Sequence, residues 1–236
     1  MRKWTVVSIL GISLLLQGCS ANQDAQPLKQ KDRELVRVEL NEQLLQAVSQ
    51  GKVSAIQDLL REDININVQD ANKRTAVMIA TYNNDVEVAR MLIEAGADVN
   101  IQDDMQNNPF LYAGAEGYLE ILKLSIQAGA DPTITNRYGG TALIPASEHG
   151  YIDVIQALLT TTAIDVNHVN NLGWTALIEA IILNDGNKTQ QQVVQLLIAH
   201  GANVNIPDSK NVSPLQHAKA KDFHEIVQLL MQAGAK

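Results

Sequence analysis

The sequence predicts an all-α fold, a solenoid of about six stacked helix pairs whose two end units serve as caps. Three observations predict it. First, a six-residue block recurs: Thr75-Ala-Val-Met-Ile-Ala80 and Thr141-Ala-Leu-Ile-Pro-Ala146 stand 66 residues apart, twice 33, with Asn108-Pro-Phe-Leu-Tyr-Ala113 midway and Thr175-Ala-Leu-Ile-Glu-Ala180 and Ser213-Pro-Leu-Gln-His-Ala218 beyond. Second, each block leads into an apolar-periodic stretch, most of which end near Gly-Ala, as at Gly96-Ala-Asp-Val-Asn100, Gly129-Ala-Asp-Pro-Thr133 and Gly201-Ala-Asn-Val-Asn205. Third, aromatics make up only 4% of a chain that is 46% hydrophobic, which suits helices that approach closely.

Residues 1–18 read as a targeting segment. Arg2 and Lys3 are followed by an apolar run from Trp4 to Leu16, shorter than the roughly 20 residues a helix needs to span a bilayer. The ending Leu16-Gln17-Gly18-Cys19 resembles a bacterial lipoprotein signal peptide, with Gln17 a departure from the small residue commonest there. The resemblance implies cleavage before Cys19 and fatty acylation, such as palmitate, on the sole cysteine of the chain. The alternative is an ordinary cleaved signal or an uncleaved anchor. With Cys19 acylated, no thiol remains for a disulfide or a sulfur-based metal site. Loss of residues 1–18 would leave 16 basic against 26 acidic residues, a net of −10.

Residues 19–39 read as the lipidated cysteine and a polar tether, with an extra helix from Asp32 onward as the alternative. The repeat domain is expected over 40–236. It begins with a degenerate, polar first unit at Leu44, Leu45, Ala47 and Val48. In that unit Asp63 stands where Gly96 stands in the second, and is expected in the left-handed conformation that Asp tolerates better than most residues. Thr75 is placed to cap a short helix, Val86, Ala89 and Leu92 line one face of the next, and Gly96 stops it. One helix pair cannot bury its own apolar face, so neighbouring pairs must stack into a single core.

These blocks resemble the ankyrin repeat, whose Thr-Pro-Leu-His-x-Ala and Gly-Ala-Asp-Val-Asn signatures recur about every 33 residues. The resemblance implies that polar connections such as Asp98 to Asn107 fold as hairpin fingers. Two units depart from the pattern. The fourth runs Leu158-Leu-Thr-Thr-Thr-Ala-Ile-Asp165 with an extra residue and no glycine, so either a threonine takes the stopping position or the turn is rebuilt, and a weaker joint is expected. The fifth carries five extra residues around Asn184 to Gln191, either a recognition loop or a tolerated insertion.

The net charge of −8 offers no basic footprint, so nucleic acid is not an expected partner. His149, His168, His200, His217 and His224 fall at different repeat positions and suggest neither a metal site nor a catalytic base. Carboxylates such as Asp103, Asp104, Glu116 and Glu148 read as a solvated acidic face, and Gly139-Gly140 lacks the Lys-Ser/Thr of a phosphate loop. No enzyme, cofactor or metal is expected.

The resemblance implies that a protein partner is gripped by the finger tips and the exposed ends of the first helices. Carried over residue by residue, the second finger offers Gln102, Asp104, Met105 and Asn107, the third Arg137 and Tyr138, and the fourth Asn171, Leu172 and Trp174. The first helices add Tyr82, Glu116, Glu148 and His149. Trp174 either contacts the partner or packs between fingers, while Tyr118 and Tyr151 are expected to be structural. The expected function is a monomeric, lipid-anchored interaction module of the bacterial cell envelope, a scaffold or accessory to an exported protein. The alternative is an inhibitor or immunity protein that blocks a toxin or hydrolase with its concave face. Ser20 after the lipidated cysteine resembles the signal for forwarding to an outer membrane, facing the periplasm, if the cell has one. Otherwise the outer face of the cell membrane is expected.

Overall fold

A computed structural model of the chain describes residues 30–236, so Cys19 and the expected signal peptide lie outside the described residues. Among the described residues twelve α-helices form six pairs: α1 (Gln30–Ser49) with α2 (Val53–Leu59), α3 (Ala76–Tyr82) with α4 (Val86–Glu94), and α5 (Pro109–Glu116) with α6 (Leu119–Gln127). Next come α7 (Leu143–His149) with α8 (Ile152–Thr161), α9 (Ala176–Ile182) with α10 (Lys188–Ala199), and α11 (Pro214–Ala220) with α12 (His224–Gln232). Odd-numbered helices stack on one another in one layer, and α4, α6, α8, α10 and α12 stack in a second. Among the described residues no helix is long and apolar enough to cross a membrane.

The repeated block makes the inner helices, and its first residue is the cap. Thr75, Asn108, Thr175 and Ser213 each accept the backbone N–H three residues on, at 2.8–3.3 Å. The fourth unit is the exception. Pro145 has no N–H to give the Thr141 carbonyl, so the Ile144 N–H bonds that carbonyl at 3.2 Å and is lost to the threonine hydroxyl, which is buried without a partner. The helix there is capped from Ala142 with no side-chain bond. Most of the remaining block residues are core: Val77, Met78, Phe110, Leu143, Leu177 and Ile178 are all essentially inaccessible.

One expectation, that for Asp63, is corrected, and three that the sequence left open are narrowed. Residues 30–39, read as the end of the tether, are helical and exposed, so α1 begins well before the repeat core at Leu44, Ala47 and Val48. Asp63 does not adopt a positive φ; the first unit closes instead with a tight turn in which the Ile64 N–H bonds the Glu62 carbonyl. In the fourth unit no threonine is left-handed either. Thr162 is extended, and the hydroxyls of Thr160, Thr161 and Thr162 reach back 2.6–2.7 Å to the carbonyls of Gln156, Ala157 and Leu158, ending α8 with side chains where Gly96 ends α4 with φ +95°. Lastly, the Asn184–Gln191 insertion is not a free loop. Asn187 caps α10, and Asn184 and Gln190 donate at 2.9 and 3.1 Å to the Glu148 carbonyl of the preceding unit.

The connections between pairs are turns with a common lock rather than paired strands; the one bridge among the described residues joins Gln69 and Thr75. Asp70, Asp103, Asn136, Asn170 and Asp208 occupy the same place in five successive fingers. Each uses one side-chain oxygen to accept the backbone N–H groups two and four residues on. At the opposite edge, the final Asn of the Gly-Ala-Asp-Val-Asn signature reaches the next unit. Asn67 accepts the N–H of Asp98, Asn100 that of Asp131, Asn167 that of Asn203 and Asn205 that of Lys236, at 2.7–2.9 Å. Thr133 breaks this ladder between the third and fourth units: its hydroxyl folds back on Asp131 at 2.7 Å.

Candidate functional site

The fingers and the inner helix ends enclose a cavity of about 610 Å³ on one face of the stack. Its lining includes Met105 and Asn107 of the second finger, Arg137 and Tyr138 of the third, and Leu172 and Trp174 of the fourth, together with Tyr82, Glu116 and Glu148 from the inner helices. The cavity thus gathers nine of the residues carried over from the repeat pattern. Tyr138, Leu172 and Met105 are 53%, 51% and 46% exposed, an aliphatic and aromatic row across three successive fingers. The Arg137 guanidinium lies 4.8 Å from the Tyr138 ring centroid and donates to the Met105 sulfur at 3.2 Å, tying this row together. Trp174 is half-buried: its backbone closes the fourth finger on Asn170 while its side chain lines the cavity.

The other expected residues support the fingers. Gln102 donates to the carbonyls of Gln106 and Thr135, so its amide joins the second and third fingers. The Asn171 N–H bonds the Tyr138 carbonyl at 2.9 Å, and its side chain lies against Gly139. Asp104 forms an ion pair with Lys73 at 3.0 Å, outside the main cavity. His149 sits exposed at the end of α7 with its ring 5.5 Å from Tyr151, also outside the lining. Tyr118 and Tyr151, expected to be structural, are partly buried against the core.

Tyr82 carries a second constraint. Its hydroxyl donates to Asp103 at 2.5 Å and accepts from Asn107 at 3.2 Å, and its ring meets Tyr112 edge-on at 4.4 Å. Burial, reinforced by the hydrogen bond to Asp103, pushes its hydroxyl up to about 12.

Sequence reasoning missed Glu179. It lies at the variable fifth position of the repeated block, where the other units carry Ile79, Tyr112, Pro145 and His217. The inner helix turns that position toward the finger lock. In the sixth unit His217 bonds Asp208 at 2.9 Å, and in the fifth Glu179 accepts from the Asn170 amide at 2.8 Å. The two pairs are chemically matched: the Asp208 lock faces a histidine, and the carboxylate of Glu179 faces an asparagine lock, Asn170, which offers it an N–H. Glu179 is 6% exposed, and burial, with the negative charge of Glu148 nearby, pushes its carboxyl up to about 7. The signal available in the sequence was a lone carboxylate inside an otherwise apolar block.

The comparisons with known proteins agree with this geometry. The family model of ankyrin repeats (3 copies) matches residues 44–136 and 110–208. An ankyrin repeat protein of Escherichia coli (strain K12), YahD, is 40% identical over 191 residues, covering 81% of this chain and 95% of the relative. An ankyrin repeat domain from Acinetobacter baumannii AYE is 49% identical with a TM-score of 0.80, covering 82% of this chain and 98% of that one. The ankyrin repeat domain of Bcl-3, a member of the IkappaB protein family, is 26% identical with a TM-score of 0.73, covering 82% and 86%. The chain belongs to the ankyrin-repeat family. It is a protein-protein interaction module of a kind that is in general non-enzymatic.

Proposed function

We propose that the chain is a lipid-anchored interaction module of a bacterial cell envelope, a scaffold or accessory that holds another exported protein against its concave face. The observation that carries the binding reading is the exposed row of Met105, Tyr138 and Leu172 over a cavity of about 610 Å³. The envelope reading is supported by Leu16-Gln17-Gly18-Cys19 and by the absence of any other cysteine. A photo-crosslinker at position 138 in living cells, followed by mass spectrometry, identifies the partner. Exported proteins are expected in the adduct, and an adduct of cytoplasmic proteins alone would overturn the envelope reading. Tight capture of a single hydrolase or toxin would make the chain an inhibitor. Cys19→Ser should lose incorporation of a fatty-acid analogue, and equal labelling of the variant would remove the lipid anchor from the proposal.

A further inference from the structure

We infer that the cavity receives a lysine or arginine side chain of the protein partner, with Glu148 and Glu179 as its carboxylate acceptors; this rests on the concave face being the binding surface. Glu179 is nine-tenths buried, yet only one of its oxygens has a hydrogen-bond partner, the Asn170 amide, and its other oxygen is left to the cavity it lines. Glu148 adds a second negative charge beside it. Two such groups repel one another, and the protein holds Glu148 in place all the same, its carbonyl clamped by Asn184 and Gln190 of the insertion.

Among the described residues no cation forms an ion pair with these carboxylates or with Glu116. Arg137, the one cation in the lining, is turned onto Tyr138 and Met105. Lys221, on the neighbouring unit, gives its ammonium to the Asn184 carbonyl and the face of Phe223. The other polar and titratable residues of the lining, Tyr138 and Trp174 aside, are a third carboxylate, Glu116, and the uncharged Tyr82, Tyr112, Asn107, Asn136 and Asn170. A metal ion fits poorly, since among the described residues no three His, Cys, Asp or Glu side chains converge. The walls are aromatic and aliphatic, Tyr112, Trp174 and Leu183 among them, and such walls suit the apolar stem and cationic head of lysine or arginine.

The test selects peptides from a random displayed library on the full chain in detergent micelles at pH 8. Binders that are lost on Tyr138→Ala with Trp174→Ala occupy the concave face. These are expected to carry a Lys or Arg whose replacement by norleucine weakens binding at least tenfold. Glu179→Gln, which keeps an acceptor for Asn170, should weaken the basic peptide to the same degree and leave the norleucine peptide unaffected. Wild type should also lose affinity as pH falls from 8 to 6, and the Gln variant should not. Concave-face binders without a basic residue, or indifference to Glu179→Gln, would overturn this inference while leaving the binding surface intact. Selection of peptides insensitive to the Tyr138 and Trp174 changes, or of none, would overturn both. Displacement of the basic peptide by an equal concentration of butylamine would assign the cavity to a free amine instead.

Discussion

Glu179 shows how a single side chain can work against the fold that holds it. Its carboxyl, ordinarily ionised near 4.5, keeps its proton up to about pH 7 in the native chain, because burial and then Glu148 disfavour the charge. Between those values the folded state binds more protons than the unfolded state, so stability falls as pH rises through this window and the full cost is present above about pH 7. The size is roughly 2 kcal/mol once water in the open cavity is allowed for. Glu179→Gln should therefore raise the denaturation midpoint at pH 8 and change it little at pH 4, which urea titrations at the two values would show. Equal shifts at both would mean that Glu179 is not desolvated as described. Truncating Tyr138 together with Trp174 tests another residue-scale distinction. Tyr138 is exposed, whereas Trp174 also lines the wall at the base of its finger, so the double Ala variant should lose partner capture while losing less than the 3–5 kcal/mol of a core aromatic. Thermal melts and co-purification of the same variant give both readings, and a melt lowered by the full core amount would make Trp174 a packing residue.

At the scale of the element, each finger is fixed by an Asx lock and by a residue at the tip whose φ a side chain resists. In the third finger that residue is Gly139, with φ +70° and the Asn171 side chain pressed against it. Gly140, though buried, has an ordinary φ, and a methyl group there would meet its neighbours at 3.5 Å or more. Gly139→Ala should accordingly cost about 1–2 kcal/mol and Gly140→Ala less than about 0.5 kcal/mol. Denaturant midpoints that rank the two the other way would contradict this account of the finger. The elements were also where the sequence was most and least legible. Caps at Thr75, Asn108, Thr175 and Ser213, the stop at Gly96 and the core faces all follow from local pattern, because each is decided within a few residues. Asp63 was misread, and the fourth-unit turn and the insertion were left open, because their conformations depend on partners outside the local pattern: a tight turn, hydroxyls bonding one turn back, and a carbonyl 36 residues away. Glu179 was hidden for the same reason. Its burial depends on Asn170 and Glu148, and no period in its own helix reports either.

For the whole molecule, stability is shared between neighbouring units, so the weakest joint limits cooperativity. Two features fall together between the third and fourth units: Thr133 breaks the asparagine ladder, and α8 ends without a left-handed stop. Thr133→Asn should add a bond to the Asp165 N–H like those made by Asn67 and Asn100, and raise stability by about 1 kcal/mol. Hydrogen exchange would show slower opening at that joint, and unchanged exchange there would place the weak point elsewhere.

The finger lock has a consequence for how such a chain can change over generations. One atom of each lock side chain holds the turn, and an Asp or an Asn performs that task equally well. The other atom is a carboxylate oxygen or an amide N–H, and in three of the units it decides which residue the adjoining inner helix can present: a tyrosine, a glutamate or a histidine. Support and recognition are thereby divided within one side chain. A paired exchange of lock and helix residue can rewrite the charge of the groove one repeat at a time, and the architecture inherited by every other repeat is left undisturbed.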